Sequence, residues 1–118
     1  MNIILKDKEY SFLIGYQKHK QYRNAFNNLA KIIFPISFEE WFQSGYWNEK
    51  YIPYTLFDED KAVANISVNI MDFSVFGEQK RFIQIGAVMT DENYRNNGLS
   101  RFLMEKVLDL ESPKFLAQ

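Results

Sequence analysis

The chain has 118 residues, 47% hydrophobic and 17% aromatic, which favours one ordered globular domain over residues 1–118. Its 14 basic and 15 acidic residues give a net charge of −1, so neither a nucleic acid nor an anionic membrane is expected as a partner. The absence of cysteine excludes disulfides, thiolate catalysis and cysteine-bound metals, and a single histidine predicts no metal site.

Short strands are predicted at the N-terminus, around Asn2–Leu5 and Tyr10–Ile14, with the charged residues Lys6–Glu9 as the turn between them. The apolar run Met1–Leu5 is too short for a signal peptide or a membrane span. We therefore expect a cytoplasmic protein without a membrane segment.

Two helices are predicted next. Apolar side chains recur at helical spacing over Lys20–Phe34, and Pro35 ends this helix. The following residues have the form of a capping box, with Ser37 as the N-cap and Glu40 at the third helical position. This second helix should end before Gly45.

An aromatic segment follows, in a predicted loop that leads into a strand over Tyr51–Phe57. Aromatic rings with polar tips can line a ligand pocket, but they can equally close the core of a small domain, which is the favoured interpretation. The candidates for a substrate-binding wall are Trp41, Tyr46, Trp47 and Tyr54.

A turn at Asp58–Lys61 leads to a predicted strand over Ala62–Phe73. Its side chains alternate between an apolar face and a polar face, the latter formed by Asn65, Ser67 and Asn69. The polar stripe fits a solvated sheet face and a polar substrate pocket equally well. The segment Gly77–Lys80 closes a hairpin onto the strand Phe82–Thr90, whose continuous apolar run predicts an interior strand covered on both faces.

The last predicted elements are a polar loop over Tyr94–Ser100 and an amphipathic helix from about Gly98 to Leu110, ending near Glu111–Pro113. Unpaired N–H groups and the positive end of the helix dipole suit a phosphate at such a loop. An ordinary helix N-terminus with a turn glycine is the alternative interpretation.

The motif Arg95-Asn96-Asn97-Gly98-Leu99-Ser100 resembles the acetyl-CoA-binding signature of the GCN5-related N-acetyltransferases, the GNAT family. The family pattern is Arg/Gln-x-x-Gly-x-Gly/Ala after a sheet strand, and Ser100 is the one departure. The order of elements also resembles the first two-thirds of the GNAT fold. The resemblance implies an α+β (α/β) fold with a mixed, mostly antiparallel sheet flanked by helices, truncated at its C-terminal side.

The resemblance further implies an acetyl-CoA-dependent N-acetyltransferase that uses acetyl-CoA as co-substrate and an amine as acceptor. In the family, main-chain groups of the signature strand pair with the pantetheine arm and loop amides hold the pyrophosphate. These roles correspond here to Val88, Met89 and Thr90 on the strand, and to Arg95, Asn96, Asn97, Gly98, Leu99 and Ser100 in the loop, with Arg101 just beyond.

The catalytic residues are less well defined. Some family members carry a glutamate eleven residues before the Arg/Gln of the motif, and this position is Gln84 here. Glutamine cannot act as a base, but it can orient a water or the amine, so Gln84 is a weak candidate. The family's thiolate-protonating tyrosine has no counterpart in this chain.

A second hypothesis is a non-catalytic interaction module that self-associates or binds CoA. It rests on Gln84, on the missing C-terminal third and on the open flank that truncation should leave beside Phe82–Thr90. It predicts a homodimer or other self-association through this edge. Both hypotheses hold if a dimer builds a shared CoA site.

Overall fold

The structure is a computed structural model that describes residues 1–35 and 37–116. One antiparallel sheet carries the strands in chain order: β1 (Asn2–Leu5), β2 (Lys8–Ile14), β3 (Tyr51–Asp58), β4 (Lys61–Val75) and β5 (Glu78–Thr90). The helices are α1 (Lys20–Ile33), α2 (Glu39–Gln43) and α3 (Leu99–Leu116), with a 3-10 turn at Glu92–Tyr94 before α3. This arrangement confirms the predicted α+β class.

The sheet has a hydrophobic core on each face. Because side chains alternate along a strand, β3 and β4 contribute to both cores. On one face, Leu99, Leu103 and Val107 recur every fourth residue of α3 and pack against the sheet. On the other face, Phe26 and Leu29 of α1 pack in a second, aromatic-rich core that also holds Trp47, Tyr51, Phe57 and Met89.

Three local predictions are wrong in detail. Strand β5 begins at Glu78, so the β4–β5 turn does not extend over the predicted segment Gly77–Lys80. Strand β2 already begins at Lys8, so the first turn contains only Lys6 and Asp7, which have φ values of 47° and 66°. The predicted capping box does not form, since Phe38 occupies the N-cap position of α2. Ser37 Oγ accepts a hydrogen bond from the Glu39 N–H at 3.3 Å.

Strand β5 is an edge strand and not the predicted interior strand. Among the described strands it pairs with β4 alone, so its outer edge is open, as the second hypothesis expected. Its apolar side chains are correspondingly exposed, with 45% of Phe82, 39% of Ile85 and 49% of Val88 accessible to solvent. The continuous apolar run of β5 therefore does not show that both faces of this strand are buried.

Helix α3 continues past its predicted end at Glu111–Pro113 and reaches Leu116. The buried hydroxyl of Tyr54 donates a hydrogen bond to Glu111 Oε2, so α3 still packs on β3 where the helix was predicted to end. Residues 117–118 lie outside the described residues. Leu110, the last apolar residue of the predicted amphipathic helix, is 42% exposed.

Candidate functional site

The loop between β5 and α3 is held in place by polar contacts. Lys6 Nζ donates to the main-chain oxygen of Asn96 at 2.6 Å, and Asn97 Nδ2 donates to the main-chain oxygen of Tyr94 at 3.1 Å. The Tyr94 hydroxyl donates to Asp58 Oδ2 at 2.5 Å. This hydrogen bond raises the pKa of Tyr94 to about 12 and lowers the pKa of Asp58. The loop is thus tied to the β1–β2 turn and to the end of β3.

Asp91 defines the start of the loop. Its carboxylate accepts a hydrogen bond from the Asn93 N–H at 2.9 Å and pairs with Lys61 Nζ at 3.1 Å. Burial acts to raise the pKa of Asp91, but the Asn93 N–H and the Lys61 ammonium outweigh burial and lower this pKa. Asp91 is therefore a buried carboxylate that stays ionised at neutral pH.

A groove of about 340 Å³ lies between the end of β5 and the first turn of α3. The first turn of α3 carries no acidic side chain, so its unpaired N–H groups and the positive end of its dipole are not neutralised locally. Such a groove suits a phosphate. Most of the predicted cofactor residues line it together with Tyr94, namely Thr90, Arg95, Asn96, Gly98, Leu99, Ser100 and Arg101.

Two small residues shape the groove. Gly98 has φ +79°, and a Cβ built there would meet no atom within 4 Å, so glycine is required by the backbone conformation and not by lack of space. Ser100, the departure from the family signature, places its Oγ 3.0 Å from Thr90 Oγ1. The serine hydroxyl therefore joins the start of α3 to the end of β5.

The last residues of β5 present main-chain groups to the open edge. The Asp91 N–H donates to the Val63 oxygen at 2.8 Å, which makes these two residues a hydrogen-bonded pair. Since such pairs alternate along an antiparallel ladder, the N–H and C=O of Thr90 point away from β4. Val88 is 49% exposed, whereas the Met89 side chain is buried in the core beneath α1.

A β-bulge interrupts β5 just before the groove. Asn65 pairs with Met89 and Ser67 pairs with Gly86, so two residues of β5 oppose the single residue Ile66 of β4. The first of the two, Ala87, has φ +45°. A left-handed conformation costs a non-glycine residue about 1–2 kcal/mol. The bulge is therefore a strained segment that surrounding contacts must stabilise.

The polar stripe of β4 belongs to a buried network. The Tyr16 hydroxyl lies 2.6 Å from Thr55 Oγ1, which donates to Asn65 Oδ1 at 2.6 Å. Asn65 Nδ2 donates to Ser67 Oγ and to the main-chain oxygen of Ala87, both at 2.9 Å. The solvated-face interpretation is wrong for Asn65 and Ser67, which are fully buried because α1 covers this face. The alternative interpretation, an open polar pocket, is also wrong at these two positions, because neither side chain is accessible.

Gln84, the weak catalytic candidate, is exposed on β5. Its Oε1 accepts a long hydrogen bond from Asn69 Nδ2 at 3.4 Å across the β4–β5 ladder. The side chain is thus free to meet a ligand, and its role in catalysis stays a prediction.

The four aromatic residues proposed as a substrate-binding wall are not brought together. Tyr54 is buried in the core beneath α3, whereas Trp47 is buried on the opposite face of the sheet. Tyr46 is 67% exposed, and Trp41 is partly buried with its ring centroid 6.4 Å from that of Trp47. Only Trp41 and Tyr46 present surface to a ligand beside α2, and substrate binding by any of the four stays a prediction.

Sequence reasoning missed two residues that shape the site, Lys6 and Asp91, and it named Asn65 only as part of a polar stripe. The contact of Lys6 with the loop spans 90 residues of chain and leaves no local signal. A polar side chain flanked by apolar neighbours within a strand is a signal for Asn65, but its burial depends on α1. Within residues 1–35 and 37–116 there is no acidic or histidine cluster that could hold a metal, and no helix long and apolar enough to cross a membrane.

Comparison with known proteins gives the same fold. An acetyltransferase from Trypanosoma brucei superposes with a TM-score of 0.69 at 15% identity, over 90% of this chain and 77% of that chain. An aminoglycoside acetyltransferase from an uncultured soil metagenomic sample gives 0.65 at 13% identity, over 89% and 71%. A predicted acetyltransferase from Clostridium acetobutylicum, determined with acetyl-CoA, gives 0.60 at 13% identity, over 89% and 75%. No curated protein matches the chain in sequence.

The family model described as an acetyltransferase (GNAT) domain matches residues 14–110. The match begins at the end of β2 and extends through the bulge, the loop and most of α3. Because it covers most of the 118 residues, the chain belongs to the GNAT family of acetyltransferases.

Proposed function

We propose that this protein binds acetyl-CoA in the groove between β5 and α3 and transfers its acetyl group to an amine. The observation that carries the proposal is the groove itself, where the first turn of α3 meets the open edge of β5. The family match and the structural likeness to an acetyltransferase determined with acetyl-CoA support it.

Two kinds of main-chain group would bind the co-substrate. The outward N–H and C=O of Thr90 can pair with the amides of the pantetheine arm, and Val88 and Met89 complete the segment of β5 that would lie along it. The N–H groups from Asn96 to Arg101 can hold the pyrophosphate at the helix N-terminus. The guanidinium groups of Arg95 and Arg101 add positive charge at the same groove.

Acetyl-CoA supplies an activated thioester. During transfer a bond forms between the amine nitrogen and the acetyl carbon, the carbon–sulfur bond breaks, the amine loses one proton and the CoA sulfur gains one. Gln84 can accept a hydrogen bond from the amine or from a water, but its amide cannot take the proton. We therefore assign Gln84 an orienting role.

The test is a calorimetric titration with acetyl-CoA, comparing the wild-type protein with Gly98→Asp and Gly77→Asp. The two glycines are matched, with φ values of +79° and +80° and open space at the Cβ position. Aspartate at position 98 would place a carboxylate against the pyrophosphate, a repulsion of about 3 kcal/mol at roughly 5 Å and an effective dielectric constant of about 20. We expect micromolar binding by the wild-type protein and roughly a hundredfold weaker binding by Gly98→Asp.

Gly77 lies in the β4–β5 turn, away from the groove, so Gly77→Asp should bind like the wild-type protein. Equal affinity of the two variants would refute the assignment of the groove. A folded wild-type protein that does not bind acetyl-CoA would refute the proposed function.

The open edge of β5 favours a second function, self-association. Its unpaired main-chain groups and the exposed side chains of Phe82, Ile85 and Val88 form a template for another strand. We propose a homodimer in which two β5 edges meet. In such a dimer the protein would act through contacts with a second copy of itself, whether or not the two copies share an acetyl-CoA site.

A further inference from the structure

The buried amide of Asn65 links the sheet interior to the strained segment of the site. It accepts a hydrogen bond from Thr55 and donates one to Ser67 and one to the main-chain oxygen of Ala87. All three contacts are between 2.6 and 2.9 Å, and the Asn65 side chain is 0% exposed. Water therefore cannot replace any of these contacts without a rearrangement of the core.

The chemistry of the network determines the orientation of this amide. Thr55 has one hydroxyl proton, and because it donates that proton to Asn65 it must accept from Tyr16. Burial raises the pKa of Tyr16 far above its ordinary range, so the phenol keeps the proton that it donates. A reversed amide would set the Asn65 oxygen against the Ala87 oxygen, two acceptors in contact.

The group that Asn65 holds belongs to the bulge of β5. Ala87 has φ +45°, a conformation that alanine adopts rarely and that persists only where its surroundings fix it. The residues after it, Val88 to Thr90, are those proposed to pair with acetyl-CoA. A change in the Ala87 conformation would alter the direction of their main-chain groups.

We propose that Asn65 is a positioning residue for acetyl-CoA: its amide, oriented by Thr55, holds the Ala87 carbonyl and so keeps the β5 bulge in the conformation that presents Val88–Thr90 to the co-substrate. This proposal rests on the proposed function. Asn65 itself lies in the core and does not touch the ligand.

The experiment compares three variants by acetyl-CoA titration. Asn65→Leu keeps the approximate size but removes the hydrogen bond to Ala87, and we expect its Kd to rise about tenfold or more. Tyr16→Phe is the control, since it removes a buried hydrogen bond of the same network but leaves the Asn65–Ala87 contact intact. It should lower the Tm while changing the Kd by less than about twofold.

The third variant is a rescue. Adding Ala87→Gly to Asn65→Leu supplies a residue that adopts positive φ without strain, so the bulge no longer depends on the asparagine. We expect the double variant to recover most of the lost affinity. A role of Asn65 in general stability alone predicts no such recovery.

Amide hydrogen exchange without ligand separates this inference from the proposed function. Asn65→Leu should accelerate exchange at Ala87 to Met89, and Tyr16→Phe should not. If no form of the protein binds acetyl-CoA, the proposed function fails but exchange still decides whether Asn65 holds the bulge. If Asn65→Leu does not fold, Asn65→Ser takes its place in the same comparisons.

Three results would overturn the inference. The first is that a folded Asn65→Leu protein binds acetyl-CoA with the same Kd as the wild-type protein. The second is an equal loss of affinity in Tyr16→Phe. The third is unchanged exchange at Ala87 to Met89 when Asn65 is replaced.

Discussion

Replacing Tyr94 by phenylalanine tests how the loop is attached to the rest of the domain. The substitution removes the hydroxyl that donates to Asp58 Oδ2 at 2.5 Å. It keeps the ring, whose edge-to-face contact with Tyr10 has a centroid distance of 6.4 Å and which lies 5.6 Å from Lys61 Nζ. The change in stability therefore reports on the hydrogen bond alone.

The magnitude follows from the surroundings of Asp58. A hydrogen bond to a charged acceptor contributes about 1.5–3 kcal/mol when shielded from water. The Asp58 side chain is 21% exposed and retains Lys8 Nζ at 3.3 Å, so water and the ammonium compensate part of the loss. We expect Tyr94→Phe to lower the free energy of unfolding by about 1–2 kcal/mol at neutral pH.

The effect should depend on pH with a defined sign. The hydrogen bond from Tyr94 is the largest cause of the lowered pKa of Asp58. A carboxyl group with a lowered folded-state pKa stabilises the protein fully above its unfolded pKa, near 3.8, and loses that contribution as pH falls through the folded pKa. The difference between Tyr94→Phe and the wild-type protein should therefore shrink below about pH 4.

The assay is urea unfolding followed by tryptophan fluorescence, because Trp47 is only 2% exposed and becomes hydrated on unfolding. The control is Tyr10→Phe, since the Tyr10 hydroxyl has no hydrogen-bond partner within the described part of the chain; it should cost less than about 0.5 kcal/mol. A loss that is the same at about pH 7 and about pH 3, or a loss no larger than that of Tyr10→Phe, would refute the reasoning.

Two further predictions concern α2 and the sheet edge. Glu39→Gln removes the charge that pairs with the buried Arg23 at 2.9 Å; because the Glu39 side chain is 36% exposed, we expect urea unfolding to show a loss of only about 1–2 kcal/mol. Arg23 lowers the pKa of Glu39, so this loss of stability should disappear as pH falls through the folded-state pKa of Glu39. A loss independent of pH would contradict a stabilising charge pair between Glu39 and Arg23. For self-association, sedimentation equilibrium should show a dimer that Ile85→Lys converts to monomer, whereas a monomeric wild-type protein at high concentration would exclude the β5 dimer.

The elements that could be predicted are those with a complete local pattern. Helix α1 has helical spacing and a proline after its end, and β4 has strict alternation. The position of β5 could not be predicted, because its apolar run carries no information about which strands lie beside it. Ile85 and Val88 are as apolar as core residues, yet both are exposed on the edge strand.

Two tertiary contacts lie near the helix boundaries that were predicted wrongly. In α2, the side chain of Glu39 bonds to the buried guanidinium of Arg23, an interaction that no capping pattern contains. At the end of α3, the contact between Tyr54 and Glu111 joins residues that are 57 positions apart. Contacts between residues far apart in the chain leave no signal in the local sequence, so a local pattern predicts helix boundaries only approximately.

The candidate site was predictable to the extent that it is contiguous in sequence. Residues of the motif Arg95–Ser100 line one groove with Thr90, as the strand, loop and helix pattern indicates. The bulge was not predictable, since it depends on register between two strands. The hydrogen-bond network from Tyr16 through Thr55 to Asn65 was not predictable either, because it joins three separate segments of the chain.

The buried network of β4 also has a consequence for strand alignment. The apolar side chains of Ile66 and Val68 fill the core beneath α3, whereas Asn65 and Ser67 find their hydrogen bonds only on the opposite face. A slip of β4 by one residue would exchange the two faces. The slipped sheet would bury two polar side chains without partners in an apolar core, at about 1–3 kcal/mol for each unsatisfied group. The same hydrogen bonds therefore discriminate against misaligned sheets while the chain folds.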